Sequence, residues 1–310
     1  MPGNQKPEPF VLTGNFDGQD LSNDCTVYLP ENGKTSKDDV LNFPAFKDWL
    51  KRLLYNLQRQ EDEAHEFHSN KYRLTEIDVQ AADWFTKTRL GFLKIQAKVE
   101  NGAGESLPGA VFLRGGSVGI LLILEAYDPK DPQRRFEQQT IVTIQPRIAS
   151  GSLALAEIPA GMLDGKGDFA GKAADELKEE VGIEIKEDDL FDMSKLATEQ
   201  IPTYPWAKGK TPGPLSESIE NSMYPSAGGC DEFLPLMLCQ KRLTVEHMEK
   251  LDGKKTGLRK EGERIRLRLV PLKDLWKEGG RDAKALAALA LYESLKREGW
   301  VPSMPTKPDA

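Results

Sequence analysis

The chain has 310 residues, 42 Lys+Arg against 49 Asp+Glu, a formal net charge of −7, and 39% hydrophobic and 29% charged residues. This composition is too apolar for wholesale disorder, and its acidic balance argues against nonspecific nucleic-acid binding, which needs clustered cations to replace counterions. At about 150 residues per domain the length predicts two domains, or one domain with a large appendage.

The chain opens with MPGNQKPEPF, which has no basic segment leading into an apolar run, so neither a secretory leader nor an Arg/Ser-rich transit segment is predicted. Residues 1–40 mix polar and strand-like signals, with turns at Gly14, Gly18 and Asn32-Gly33. Pro44 then opens a helix, where its missing N–H costs nothing. Phe46, Trp49, Leu50, Leu53, Leu54 and Leu57 follow at i, i+3, i+4, i+7, i+8 and i+11, one apolar stripe. His65 and His68 fall at helical spacing beside Glu61 and Glu63, which reads as a solvated polar face before it reads as a metal pair. Residues 72–80 and 90–99 read as strands. In the second, Leu93, Ile95, Ala97 and Val99 alternate with Lys94, Gln96 and Lys98, so one face is buried and the other is wet.

The polar, Gly-rich stretch Asn101–Pro108 predicts a boundary, with an N-terminal β-rich domain over 1–107 and a second domain over 108–300. Ala110–Leu113, Gly119–Ala126 and Thr140–Ile144 are β-like. The longest apolar stretch, Val118–Leu124, holds Gly119 and ends at Glu125. A membrane span needs about 20 apolar residues, so no membrane partner is expected. A Gly-rich loop at 161–171 leads to a charged helix near 172–181. After the Pro/Gly/Ser segment 201–229 come a strand near 233–239 and another at Arg264–Leu269, where Ile265, Leu267 and Leu269 alternate with arginines. An Ala/Leu helix over 282–297, capped by Asp282, closes the fold ahead of a loose Pro-rich tail at 301–310. This order predicts a mixed α/β sandwich. Three cysteines, Cys25, Cys230 and Cys239, without a CxxC give no disulfide framework and no thiolate zinc site, and a reducing compartment is the default.

Glu176, Glu179 and Glu180 carry the chemistry. At i, i+3 and i+4 they share one turn of a helix, where three like charges repel. A cation relieves that repulsion, and hard carboxylate oxygens suit Mg²⁺ or Mn²⁺. A run of this kind is otherwise an ordinary solvated acidic face. Gly182 then fits a helix stop.

With Gly161 fifteen residues before Glu176, the segment resembles the Nudix box, G-x5-E-x7-R-E-U-x-E-E-x-G-U with U apolar. Gly161, Glu176, Leu177, Glu179, Glu180, Gly182 and Ile183 match. Gly167 and Asp175 stand where the pattern has a Glu and an Arg that brace the loop onto the helix. Glu157-Ile158-Pro159-Ala160-Gly161 is similar to the E-L-P-A-G entry of the ADP-ribose and ADP-sugar pyrophosphatases. Asp83-Trp84-Phe85, Gly91-Phe92-Leu93-Lys94, Val111–Gly115 and Ser226–Glu232 resemble plant-type ADP-sugar diphosphatases, with Ala227 replacing a proline. The likeness is patchy over 72–297, and residues 1–70 match nothing.

The resemblance implies a Nudix α/β/α sandwich behind the N-terminal domain. It implies Mg²⁺-dependent (alternatively Mn²⁺-dependent) hydrolysis of an ADP-sugar to AMP and sugar 1-phosphate, in a homodimer. An ADP-ribose or other nucleoside diphosphate-sugar pyrophosphatase, or a binding module without catalysis, are the alternatives. Metal ligands fall on Glu176, Glu180, the Ala160 carbonyl and Glu263, with Glu261 as base and Glu179 close by. Trp84 and Phe85 are candidates to stack adenine, and Arg89, Arg114 and Arg147 to grip phosphates. The expected location is the cytoplasm, or a plastid if a transit peptide has been removed. Gly115-Gly116-Ser117-Val118-Gly119 fits G-x-S-x-G, but a β-like run follows where a nucleophile elbow needs a helix. Gly33-Lys34-Thr35 looks like the end of a P-loop, yet Tyr28 stands where glycine is required.

Overall fold

The computed structural model describes residues 7–31, 33–163, 169–183, 185–199, 217–257, 264–306 and 308. Two compact units emerge. The first is Met1–Gly116 with Pro202–Glu220 and Ser226–Phe233; the second is Ser117–Ile201 with Asn221–Pro225 and Leu234–Ala310.

Unit 1 begins with β1 (Phe10–Leu12), the small pair β2 (Asn15–Phe16) and β3 (Gln19–Asp20), and β4 (Cys25–Tyr28). Helices α1 (Lys37–Asn42) and α2 (Pro44–Gln58) follow. Ser36 and Asp39 form a capping box at the start of α1, and Pro44 opens α2. The long hairpin β5 (Arg73–Trp84) and β6 (Leu90–Glu100), then β7 (Ser106–Leu107) and β8 (Ala110–Leu113), complete a sheet of order β1-β4-β5-β6-β7 with β8 on β6. The predicted stripe of α2 packs on this sheet: Phe46, Leu50 and Leu54 are buried against Ile77, Leu93, Ile95 and Leu113. Lys94, Gln96 and Lys98 of β6 are exposed, as the alternation requires.

Two expectations change here. The boundary falls at Gly116/Ser117 and not at 107/108, because β8 is hydrogen-bonded to β6 and therefore belongs to unit 1. His65 and His68 do not sit on a helix. The helical hydrogen bonding ends with a 3-10 turn at Arg59–Glu61, and tight turns follow. In them His65 Nδ1 accepts the Phe67 N–H, and His68 Nδ1 lies 3.0 Å from the Gln60 carbonyl.

Unit 2 is built on β9 (Ser117–Tyr127), whose residues Ser117–Glu125 are all buried. β10 (Gln139–Arg147), β11 (Ser152–Glu157) and β12 (Ala160–Met162) follow, then helix α3 (Phe169–Glu176), β13 (Leu190–Asp192) and α4 (Met193–Glu199). The remainder is β14 (Leu236–Thr244), α5 (Val245–Leu251), β15 (Lys255–Thr256), β16 (Ile265–Pro271), α6 (Leu275–Glu278) and α7 (Ala283–Arg297). The sheet order is β13-β14-β9-β10-β16-β15, with β11 on β10 and β12 on β9. β9 and β14 run parallel; the other pairs are antiparallel.

Alternate residues of β9 serve two cores. Val118, Ile120, Leu122 and Leu124 join Ala173 of α3 and Met248 and Leu251 of α5 on one face. Leu121 and Ile123 join Met193 of α4, Leu275 of α6 and the α7 stripe Ala285, Ala288, Tyr292 and Leu295 on the other. A sheet covered on both faces needs an unbroken apolar strand at its centre, which is why β9 does not alternate. Each such side chain contributes about 1.5–3 kcal/mol on burial. Unit 2 is thus a mixed α/β sandwich with helices on both faces of its sheet.

α7 ends in a Schellman motif at Gly299 (φ 77°): the Gly299 N–H reaches the Lys296 carbonyl and the Trp300 N–H reaches that of Leu295. The expected loose tail is docked over its described part. Val301 and Met304 pack on the α7 side core, Gln240 Nε2 donates to the Pro302 carbonyl and Arg242 Nη1 to that of Thr306. Apolar residues among the prolines supply the contact that composition alone obscured. No described helix is long and apolar enough to cross a membrane.

Candidate active site

Ala160 starts β12, paired with Gly119 of β9. Space at Gly119 is tight: a Cβ there would lie 3.1 Å from the Leu236 side chain and 3.2 Å from that of Leu234, which would have to give way by a few tenths of an ångström. On the opposite wall, α3 gives way after Glu176 to a π turn, Leu177–Val181. Such turns occur as single-turn insertions, often at functional sites. The acidic residues therefore do not lie on one continuous α-helical face as predicted. Glu179 is exposed, whereas Glu180 is 6% exposed. Gly182, at φ 75°, ends the turn as expected, and Thr256 Oγ1 of β15 donates to the Glu180 carbonyl.

Glu180 and Ala160 are brought together. The Ala160 N–H donates to Glu180 Oε2 at 3.2 Å. The Glu176 side chain, Glu261 and Glu263 lie outside the described residues, as do Asp164, Gly167 and Asp168 of the box loop. Among the described residues no group of three His, Cys, Asp or Glu is placed to hold a metal. The donor chemistry still fits a hard divalent cation. A buried carboxylate must be offset by donors or by positive charge, and both Glu180 and the Ala160 carbonyl offer oxygen.

The strand leading into Ala160 carries a buried charge cluster. Glu157, 6% exposed, holds two cations: Arg147 Nε at 2.6 Å on Oε2 and Lys284 Nζ at 2.8 Å on Oε1. Lys284 also lies 2.9 Å from Asp282 Oδ1. Burial pushes the Glu157 carboxyl up, but Lys284 and Arg147 outweigh it and hold it below the usual carboxylate range. Burial likewise works against the Lys284 ammonium, but Asp282 and Glu157 raise its pKa overall. Asp282 caps α7 as predicted, accepting the Lys284 N–H at 3.0 Å, and its Oδ2 accepts the Ile158 N–H at 3.0 Å. Arg147, assigned by resemblance to a phosphate, is here paired with Glu157. The sequence marked Glu157 only as part of a motif and did not mark Lys284, because their contact spans 127 positions.

The remaining candidates lie in unit 1. Trp84 is half-buried, with Lys34 Nζ 4.5 Å from its ring centroid, and its buried Nε1 has no hydrogen-bond partner among the described residues. Phe85 is 46% exposed. It meets Phe92 edge to face at 4.9 Å, and Phe92 contacts Phe112 at 5.1 Å. The Arg89 guanidinium lies 5.6 Å from the centroid of the Phe85 ring. Gly91 leaves room for that ring in its present position, since a Cβ would come within 2.4 Å of it and turn it aside. Arg114 Nη1 pairs with Glu232 at 2.8 Å, and Asp231 accepts the N–H groups of Arg114 and Gly115. Burial raises the Asp231 carboxyl despite those donors. The Ser226–Glu232 motif is thus bound to β8, with Phe112 N–H donating to the Gly229 carbonyl at 2.8 Å. Ser117 of the G-x-S-x-G match is a buried residue of β9, so no nucleophile elbow exists there.

No family model matches the chain. It is 35% identical over 282 residues to "Nudix hydrolase 14, chloroplastic" of Arabidopsis thaliana, covering 90% of this chain and 80% of that protein. A crystal structure of an ADP compounds hydrolase aligns with 74% of this chain and 98% of its own, at a TM-score of 0.39 and 16% identity.

Proposed function

Because the chain belongs to the Nudix hydrolase family, we propose that it hydrolyses the diphosphate bond of an ADP-sugar of the ADP-glucose type to AMP and sugar 1-phosphate, with Mg²⁺ as its cation and Mn²⁺ as a substitute. The observation that carries this reading is the buried Glu180 carboxylate set against the Ala160 backbone. The E-I-P-A-G entry just before it supports the ADP-sugar branch.

In this reading Glu176, Glu180, Glu263 and the Ala160 carbonyl hold the metal, with Glu179 beside them. A divalent cation bound there supplies neutralisation of the diphosphate and a lowered pKa for the attacking water. Glu261 takes the proton as water adds to phosphorus and the P–O–P bond breaks, a role worth about 10²–10⁴-fold. No protein nucleophile is needed, since phosphoryl transfer depends on positioning and charge. Trp84 and Phe85 stack the adenine. Arg89, Arg114 and Arg147 bind phosphates, Arg147 exchanging its carboxylate partner for the substrate.

The test is product analysis by anion exchange after incubation with ADP-glucose, ADP-ribose and GDP-mannose, with Mg²⁺ or with EDTA. The expected result is metal-dependent AMP and glucose 1-phosphate, fastest from ADP-glucose. AMP mainly from ADP-ribose would keep the chemistry and change the substrate. No product from any of the three would overturn the reading. We also propose a homodimer, to be checked by sedimentation equilibrium. That none of the three cysteines is in a disulfide suits a reducing compartment, the cytoplasm being our assignment and the plastid its rival, and a fluorescent fusion of the full-length protein separates them.

A further inference from the structure

We propose that Lys284 and Asp282, in the first turn of α7, are positioning residues for the metal seat; the inference rests on the reading above, in which Glu180 and Ala160 hold the cation. A helix cap needs one acceptor for an early amide, which Asp282 Oδ1 supplies to the Lys284 N–H at 3.0 Å. The cluster does more than that. Asp282 Oδ2 reaches the Ile158 N–H at 3.0 Å, and Lys284 Nζ joins Asp282 at 2.9 Å to Glu157 at 2.8 Å. Two successive residues of the approach to Ala160 are therefore fastened to one helix end. Pro159 alone separates them from Ala160, and its ring fixes φ, leaving little slack. The Pro159 carbonyl accepts the Ile120 N–H at 2.9 Å, and Ala160 meets Glu180 at 3.2 Å. An unbroken path of short contacts thus runs from α7 to Glu180.

The burial of the cluster also favours a positioning role. The side chains of Asp282, Glu157 and Lys284 are 3%, 8% and 15% exposed. Taking such charges out of water costs enough that apolar residues of similar volume would stabilise the fold as well or better. What an apolar replacement would not supply is a fixed placement of the Ile158 amide. Lys284 also neutralises Glu157 from the buried side, so Arg147, whose side chain is 42% exposed, is free to turn to an anion without leaving a bare buried carboxylate.

The experiment measures Mn²⁺ binding to the full chain by electron paramagnetic resonance, together with thermal melting, for Glu180→Gln, Lys284→Met, Lys284→Arg and Leu295→Ala. Leu295 is buried at the far end of α7 and loosens the helix without touching the cluster. Lys284→Met is expected to weaken Mn²⁺ binding about 10–100-fold, the usual effect of losing a group behind a metal ligand. Lys284→Arg should keep more affinity than Lys284→Met, and Leu295→Ala should lose melting temperature with affinity intact. If Lys284→Met behaves like Leu295→Ala while Glu180→Gln loses binding, the seat stands and the positioning role is wrong. If Glu180→Gln binds Mn²⁺ as the wild type does, the seat itself is wrong and the inference goes with it. Should Lys284→Met fail to fold, Glu157→Gln, which keeps the volume, is measured in its place by the same criteria.

Discussion

β6 and β9 are neighbouring long strands in the chain with opposite surroundings. β6 buries Leu93, Ile95, Ala97 and Val99 and shows Lys94, Gln96 and Lys98 to water, so the sheet of unit 1 has one covered face there. β9 is buried from Ser117 to Glu125 and feeds a separate core on each side. A side chain on the first sheet is free to be polar every second position. Between Val118 and Leu124 of β9 that freedom is absent, and the polar groups of the candidate site, at Ala160, Glu157, Glu180 and Asp282, stand at strand ends, a turn and a helix start instead.

The comparison predicts substitution effects of graded size. Leu121→Ala and Leu122→Ala, adjacent but facing different cores, should each cost about 2–5 kcal/mol in urea unfolding, because each leaves a cavity. In β6 Ile95→Ala should cost a similar amount while the adjacent Gln96→Ala stays within about 0.5 kcal/mol. Equal costs at Ile95 and Gln96 would break the one-face description. Glu180→Gln should lower kcat/KM by about 10²-fold or more, at least ~2.7 kcal/mol, with little change in melting temperature. A loss confined to KM would place Glu180 in binding and not in catalysis. Phe85→Ala should act the other way, raising KM with kcat retained by the equivalent of about 0.5–1.5 kcal/mol of ring stacking.

The pH profile sharpens the contrast in unit 2. Glu157 has a folded pKa below its ordinary value, so its contribution is complete above about pH 4.3 and is lost as pH falls through the depressed value. Lys284 is raised, so its contribution is complete below about pH 10.4 and is lost as pH rises through the raised value. The stability difference between wild type and Lys284→Met should therefore be fully developed near neutral pH and shrink as the pH falls below about 4. Urea midpoints from pH 3 to 8 would show it, and a difference constant down to pH 3 would contradict the Glu157–Lys284 coupling.

Much of this architecture was readable from periodicity. The α2 stripe, the β6 alternation, the β-like run from Gly119 and the Asp282 cap each arise from local spacing, and each lies where the spacing placed it. Features set by distant partners were not readable. β11 is held by β10, α4 and α5 are short, and β8 joins β6, which moved the predicted boundary. The Ser226–Glu232 motif is recognisable as residues, but its attachment to β8 is a tertiary fact. The same holds at the candidate site. The acidic run was visible, while the π turn that buries Glu180 and leaves Glu179 outside depends on packing of Ala173 and Val181.

The attachment of Ser226–Phe233 to unit 1 has a bearing on how the protein is made. Phe112 of β8 exchanges hydrogen bonds with Gly229 and Asp231, and Arg52 and Asn56 of α2 reach Glu220 and Ser218. The N-terminal unit therefore cannot finish on the ribosome when residue 116 emerges. At roughly 5–20 residues per second it waits roughly 6–23 seconds for its last segment, while β9, among the most apolar strands in the chain, is already exposed. A nascent chain in that interval is a natural client for chaperones, and a gene fragment ending near residue 116 should express as an incomplete, aggregation-prone sheet rather than as a portable domain.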